Sequence, residues 1–521
     1  MKILLSKYRW FNKDNVWVTG FIMEKDQILQ NNDLASFFSV ADSFLKLESI
    51  LKSANGQFSV IIKSTGEIWT ASDRLRNYPV FYTKFNGEFY ISDDSYRLAG
   101  VHPVSEFNSV AKTCFQAAGF VINNQTLIKN VYQVEAGGFA VLGDLIRSGY
   151  YYNSTQEKII QKDFNDFSEE LGSLIREVFG SYFRSLKNRF IAIPLSGGFD
   201  SRLIAAMCSE YHPENVICYT YGAKNNPEVS PAREVAKRLG FKWINVVYDE
   251  QLINGFLDDN IFKEYYPFAS QLSGMFFLQE YFAVKFIKEK KLIPDDTVFI
   301  PGFTGDVLAG SHLSPGMNIY STRERIAELI FREYFRLIKL SATDKSAITD
   351  LICDRIEGGR LPVWKVVESF DMKERQAKFV VNSASVFKYF GYDYILPFWD
   401  NRLIDYFSVV PFHFKLNKKL YDHVLKEMIF KARDLNFTNE INPTGGQKRL
   451  QQVKEKIKLL LPYKVRNLFI EKSSPIFYDK ITQLMIDDFG DSPLVEPRQM
   501  NYYNSYISQW YLLKTKEYFK I

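Results

Sequence analysis

A short stretch, Pro194-Leu195-Ser196-Gly197-Gly198-Phe199-Asp200-Ser201-Arg202, holds residue types suited to gripping a polyphosphate. Two glycines let the backbone approach a ligand closely and present consecutive N–H groups. Ser196 and Ser201 offer hydroxyls to phosphate oxygens. Asp200 repels phosphate by itself, so its natural partner is a Mg2+ ion bridging those oxygens. Taken alone, the stretch also reads as a plain glycine turn. The G-x-x-x-x-G-K-[ST] loop is absent, and the loop here is shorter, with Asp where that one has Lys.

A second segment, Pro301-Gly302-Phe303-Thr304-Gly305-Asp306, again joins glycines to one carboxylate. Asp306 alone reads equally as a loop cap. With the first loop beside it, two carboxylates and a polyphosphate make a Mg2+ cage.

The elements around the loops must bring them together. Phe190–Ile193 is a short apolar run ahead of the first loop, read as a buried parallel strand, and Arg202–Tyr211 follows as a helix. Val216–Tyr221 and Trp243–Tyr248 read as the next two strands. Between them a helix is expected to start with Ser230 as N-cap and Pro231 at the first helical position, and to stop at Gly240. Met275–Lys288 reads as one long apolar helix, and Thr297–Ile300 as the fourth strand, running into the second loop. Alternating strands and helices imply a mostly parallel sheet. In such a sheet ligands sit at the carboxyl ends of strands where the strand order reverses, so neighbouring first and fourth strands would bring Asp200 and Asp306 face to face. Asp166–Phe183 has helical periodicity, and beyond about residue 320 the pattern is mainly helical.

The first 150 residues read differently. Phe58–Ile62 and Glu67–Thr70 flank a turn, and Val80–Thr83 and Glu88–Ile91 flank Asn86-Gly87, a strong hairpin signal. Phe139–Leu142 is a further strand, and polar residues around Asn153–Gln156 suggest a linker.

Composition sets outer limits. The chain has 521 residues, which at about 100–200 residues per domain suggests two to four domains. Aromatic residues make up 16%, against wholesale disorder. A net charge of +5 and short basic clusters, Lys288–Lys291 and Lys415–Lys419, read as solvated faces and not as a nucleic-acid stripe. No apolar run reaches the roughly 18 residues of a membrane span, and no signal peptide is expected. Four cysteines without metal or disulfide spacing fit a reducing compartment, so a cytoplasmic enzyme is expected.

These residues resemble the asparagine synthetase family, whose synthetase domain is a PP-loop ATP pyrophosphatase. The family loop S-G-G-x-D-S is matched at Ser196–Ser201. Its next helix is similar to Glu228 with Ala232–Ala236 and Leu239-Gly240. Its second loop, G-x-G-x-D-E, appears altered as Gly302–Asp306, and its P-F-L-D segment as Leu396–Asp400. Asp73-Arg74, Pro79–Tyr82 and Phe89–Asp93 resemble the D-R-x-G-x-x-P-L-Y-Y…F-A-S-E segment of the glutaminase domain, and Val134–Gly138 its closing P-G turn. The resemblance covers about residues 50–410.

The resemblance implies an α/β chain. Residues 1–150 would form a degenerate class II glutamine amidotransferase domain of N-terminal-nucleophile-hydrolase-like αββα type, and 151–165 a linker. Residues 166–460 would form a parallel-sheet ATP-binding domain, adenine-nucleotide α-hydrolase-like, and 461–521 a helical extension. It implies ATP and Mg2+ as cofactors. A small-molecule or peptide carboxylate would be adenylated with loss of pyrophosphate, and ammonia or an amine would then displace AMP. The nucleotide would meet Leu195, Ser196, Gly197, Gly198, Asp200, Ser201, Tyr221 and Gly302, with Tyr221 equally readable as a core aromatic. Asp200 and Asp306 would hold the metal. A homodimer is allowed, and neither nucleic acid nor membrane is an expected partner.

Three departures stand out. The family glutaminase nucleophile is a cysteine at the mature N-terminus, whereas this chain opens Met1-Lys2-Ile3, so glutaminase activity is not expected. Phe303 stands where asparagine synthetases have Glu and β-lactam-forming cyclases have Tyr, and Phe cannot handle the nucleophile's proton. Asp371 and Glu374, near Arg375, are the substitutes considered. Lys448 is the candidate for the family's pyrophosphate-binding Lys, with a basic helix start as the other reading. The alternatives to an asparagine-synthetase-like ligase are a macrocyclase or peptide-modifying ligase of lasso-cyclase or β-lactam-synthetase type, and an inactive nucleotide-binding pseudoenzyme.

Overall fold

A computed structural model describes residues 1–156, 158–212, 214–437, 474–493, 495 and 503–521. Lys448 lies outside the described residues.

The N-terminal region stacks two sheets. The first contains β1 (Lys2–Leu4), β7 (Phe81–Phe85), β8 (Glu88–Ser92) and β9 (Tyr132–Gln133), in the order β1-β8-β7-β9. The second contains β2 (Phe11–Lys13), β3 (Val16–Glu24), β4 (Gln27–Gln30), β5 (Gly56–Lys63), β6 (Ile68–Ser72), β10 (Gly138–Leu142) and β11 (Ile146–Tyr150). Alternation along the strands divides their side chains between layers. Ile61, Ile68 and Ala140 face Val80, Tyr82, Phe89 and Ile91 of the other sheet. Val18, Val60 and Ala71 instead face Leu34, Phe38, Leu47 and Leu51 of the helices Asn32–Ser39 and Phe44–Ser53. Phe81 points outward to Leu98 and Phe115 of the helices Ser95–Ala99 and Ser109–Ala118. The result is the four-layer αββα sandwich. Asn86 and Gly87 both have positive φ (50° and 77°), the two-residue turn that closes the β7–β8 hairpin.

The second region is built on five parallel strands: β12 (Ile191–Pro194), β13 (Val216–Gly222), β14 (Lys242–Val247), β15 (Val298–Phe299) and β18 (Asp393–Tyr394). Their order is β14-β13-β12-β15-β18. The first three strands step one way across the sheet and the last two the other way, so the order reverses between β12 and β15. These two pair directly, Ile191 with Val298 and Ala192 with Phe299. β16 (Tyr320–Ser321) and β17 (Leu361–Pro362) form a separate small pair. Helix Phe164–Leu186 packs Phe167, Leu171, Ile175 and Val178 into the main core. Among the described residues no helix is long and apolar enough to cross a membrane.

Three local expectations change. The helix expected to have Ser230 as its cap and Pro231 as its first residue begins two residues earlier, at Val229, with Ser230 and Pro231 inside its first turn. The long helix expected over Met275–Lys288 is helical only from Tyr281 to Glu289. Its expected first part instead runs along the N-terminal region. Val121 N–H donates to Ser273 C=O and Met275 N–H to Gly119 C=O, each bond fixing an extended path. The Lys415–Lys419 cluster is not a solvated face throughout: Lys415 is buried, its Nζ on Glu368 and on the Phe407 carbonyl.

The two regions are joined by polar contacts. Asn55 Nδ2 donates to Asp400 and Asn401 N–H to Asn55, so Asp400 of the Leu396–Asp400 segment serves this junction. Leu396 N–H donates to Gln57 Oε1.

Candidate active site

Both loops leave the carboxyl ends of adjacent strands at the point where the sheet order reverses. Leu195 is fixed by backbone pairing: its N–H donates to Tyr219 C=O, and its own C=O accepts from Thr220 Oγ1. The chain then turns through Ser196–Gly198 into helix Phe199–Tyr211, whose first turn carries Asp200. Within the loop, Ser201 Oγ accepts from Ser196 N–H and lies 3.0 Å from Ser196 Oγ, which accepts from Gly198 N–H. Arg202 clamps the loop from below, donating to Gly197 C=O.

The second loop lies directly on the first, and its glycines make that contact attainable. A Cβ on Gly302 would stand 2.7 Å from Ser201 N, and one on Gly305 would stand 2.9 Å from Asp200 Cγ. Asp306 N–H then donates to Asp200 Oδ2 over 2.8 Å. Thr304 has φ 68°, a left-handed conformation costly for a branched residue, and its buried Oγ1 has no hydrogen-bond partner among the described residues.

The two carboxylates therefore share one place. Burial and the Asp306 charge push the Asp200 carboxyl up to about 7; the bond from Asp306 N–H, a bond from Tyr421 Oη and the Lys418 charge pull the other way. Tyr421 Oη reaches Asp200 Oδ1 over 2.8 Å. Among the described residues the Asp306 carboxylate has no hydrogen-bond or ion-pair partner. Two half-buried acids set together with so little neutralisation suit a hard divalent cation. Among the described residues no group of three or more His, Cys, Asp or Glu could hold a metal, so ligand oxygens must complete any shell around this pair.

Tyr221, at the end of β13, stacks on Tyr248 with ring centres 5.6 Å apart. Its half-buried ring borders the same strand ends. Glu374 is not drawn to the loops: it accepts from Asn123 N–H and pairs with buried Lys378, at the boundary with the N-terminal region. Asp371 is buried beside Arg375 and Gln376. Phe303 is half-buried against the main core.

The asparagine synthase family model matches residues 186–287, a span that contains the first loop. Two curated relatives are similar to parts of the chain. A probable glutamine-hydrolysing asparagine synthetase of Acanthamoeba polyphaga mimivirus is 26% identical over 205 residues, covering 38% of this chain and 36% of that protein. Asparagine synthetase [glutamine-hydrolyzing] 1 of Bacillus subtilis is 25% identical over 285 residues, covering 52% of this chain and 41% of that protein. The chain thus spans less than half the length of either relative. Among solved structures, an NH3-dependent NAD synthetase of Campylobacter jejuni aligns with TM-score 0.19 and 16% identity, over 29% of this chain and 62% of that one. A U34-tRNA thiolase of Methanococcus maripaludis aligns with TM-score 0.19 and 16% identity, over 43% of this chain and 78% of that one.

Sequence reading did not find Tyr421. It stands 221 positions from Asp200, and nothing local marks it. It also missed His312, Glu368 and Lys415, which meet behind the second loop. A histidine six residues after the Asp306 carboxylate was the one available signal.

Proposed function

We propose that the chain is an ATP- and Mg2+-dependent amide-forming ligase. In this reading a carboxylate substrate attacks the α-phosphorus of ATP, pyrophosphate leaves, and ammonia or an amine displaces AMP from the acyl group. The observation that carries the reading is the placement of Asp200 and Asp306 on touching loops at the reversal point of a parallel sheet.

The residues present fit the ion and the nucleotide. Asp200 and Asp306 would hold Mg2+, which when bound neutralises charge developing on the leaving pyrophosphate. The N–H groups of Gly197, Gly198 and Phe199, at the start of a 13-residue helix, add positive potential toward the phosphates. Leu195, Tyr221 and Gly302 would border the adenine, and Ser196 and Ser201 would exchange their mutual contact for phosphate oxygens. Tyr421 orients Asp200.

In this reading the nitrogen arrives as free ammonia or an amine, and none of the four cysteines present is placed as a glutaminase thiol. An N-terminal-nucleophile glutaminase needs a thiol on a residue whose own α-amine acts as base. The four cysteines lie within the helices Ser109–Ala118, Phe199–Tyr211 and Ala342–Cys353 and within β13. Phe303 favours an amine nucleophile handled by other groups over the asparagine-forming arrangement.

The test is ATP–pyrophosphate exchange across a panel of carboxylates. Exchange must depend on Mg2+ and fall at least about 100-fold in Asp200→Asn and in Asp306→Asn. Retention of exchange in both variants would falsify the metal assignment.

A further inference from the structure

The second loop does not end at Asp306. After the short helix Gly305–Leu308 the chain folds back, Ser311 N–H donating to Asp306 C=O over 2.9 Å, and the next residue is His312. The His312 side chain is 11% exposed, yet both ring nitrogens are buried without a hydrogen-bond partner among the described residues. Its Nε2 stands 3.9 Å from Glu368 Oε1. Glu368 is itself fixed by buried Lys415, whose Nζ also donates to Phe407 C=O over 3.1 Å. Gly310 packs on the Lys415 backbone so closely that a Cβ there would stand 2.5 Å from the Lys415 carbonyl oxygen. The loop 309–312, helix Val363–Phe370 and helix Phe412–Lys415 are thus locked around one imidazole.

Leaving two ring nitrogens buried and unbonded is costly in a protein interior unless a ligand uses them. The charged groups facing the ring are Glu368, Lys415, Asp306 and Arg375. Burial, with Lys415 and Arg375, outweighs the two acids and lowers the ring to about 4, so it is neutral and able to accept a proton at ordinary pH.

We infer that His312 is the group that receives the attacking amine and takes its proton, with Glu368 and Lys415 as positioning residues. The inference rests on the proposed ligase reaction and supplies the role that Phe303 cannot fill. In the step, the amine nitrogen bonds to the acyl carbon. The bond from that carbon to the phosphate oxygen breaks, and AMP leaves with the electron pair. One amine proton passes to the free ring nitrogen of His312 and then to solvent.

The chain has five histidines (His102, His212, His312, His413 and His423), few enough to follow each ring by NMR with 13Cε1-labelled histidine. His312→Gln assigns its signal. MgATP should move the His312 signal more than the other four, His312→Gln should bind MgATP within about threefold of the wild type, and Glu368→Gln should shift the His312 titration midpoint. Given a carboxylate that supports exchange and methylamine as the amine, His312→Gln should keep ATP–pyrophosphate exchange and lose amide formation about 100-fold. Bound MgATP with an unmoved His312 signal, or full amide formation by His312→Gln, overturns the assignment alone. Failure of the wild type to bind MgATP overturns the ligase reading and this one with it.

Discussion

The backbone N–H of Asp306 is a hydrogen-bond donor to the carboxylate of Asp200, across 106 positions of sequence. One carboxylate is thus held by the main chain of the residue that bears the other. Because Asp200 titrates at about 7 in the free protein, it is largely protonated at pH 6. A divalent cation needs it ionised, so MgATP binding should release a proton below pH 7 and tighten as pH rises from 6 to 8. Calorimetry in buffers of different ionisation enthalpy measures the release. The number should fall toward zero at pH 8.5 and vanish in Asp200→Asn; a release that is independent of pH would rule the coupling out.

The contact between the two loops is steric as well as polar. Gly302→Ala puts a methyl 2.7 Å from Ser201 N, and Gly305→Ala puts one 2.9 Å from Asp200 Cγ. Ser201 N is backbone, and the Asp200 carboxyl is held by its bonds from Asp306 N–H and Tyr421 Oη. Each change should cost about 1–3 kcal/mol in urea unfolding and weaken MgATP binding at least tenfold. Gly316→Ala, where a Cβ meets nothing, is the control and should be silent in both measurements.

Both loops and the strands that deliver them are legible in the sequence, because each is a local pattern: an apolar run, glycines, then a carboxylate; that the first and fourth strands are neighbours comes only from the pairing of β12 with β15. The hairpin at Asn86-Gly87 is legible for the same reason. Met275–Leu278 misleads because its residues are apolar enough for a helix but are consumed by contacts with another region. Gly274 lies on the Lys378 backbone, where a Cβ would stand 1.9 Å from the carbonyl oxygen, and Phe120 bridges to Gly274. Lys415 misleads in the opposite sense, since its burial depends on Glu368, 47 positions away. Tyr421 reaches Asp200 only through tertiary packing, which no local spacing encodes.

The boundary between the two regions carries a buried ion pair. Lys378 Nζ donates to Glu374 and to the carbonyls of Val121 and Asn123, and Glu374 accepts from Asn123 N–H. Lys378→Met leaves Glu374 buried without its cation and should destabilise the protein by about 3–5 kcal/mol. Adding Glu374→Gln should recover much of that loss. A double-mutant cycle by urea unfolding reads the coupling, and simple additivity of the two losses would show that the pair does not hold the boundary.

Glu280 offers a pH test remote from the loops. Its carboxyl is buried, accepts from Tyr219 Oη over 2.7 Å, and has a second oxygen without a hydrogen-bond partner among the described residues. Burial pushes it up to about 7, against the single bond from Tyr219. A carboxyl raised in the folded state holds its proton more tightly there than in the unfolded chain. Its contribution is therefore fully present below the ordinary value of 4.5 and is lost as pH rises through about 7. The loss amounts to about 3 kcal/mol across that window, at 1.36 kcal/mol per unit. Glu280→Gln keeps a neutral acceptor for Tyr219 and cannot ionise. Its stability relative to the wild type should be near parity at pH 4.5 and higher at pH 8, by up to about 3 kcal/mol. Urea unfolding of both proteins from pH 4.5 to 8 measures the difference. A difference that does not grow with pH would mean that Glu280 is already ionised in the folded protein, with a cation or water network offsetting its burial.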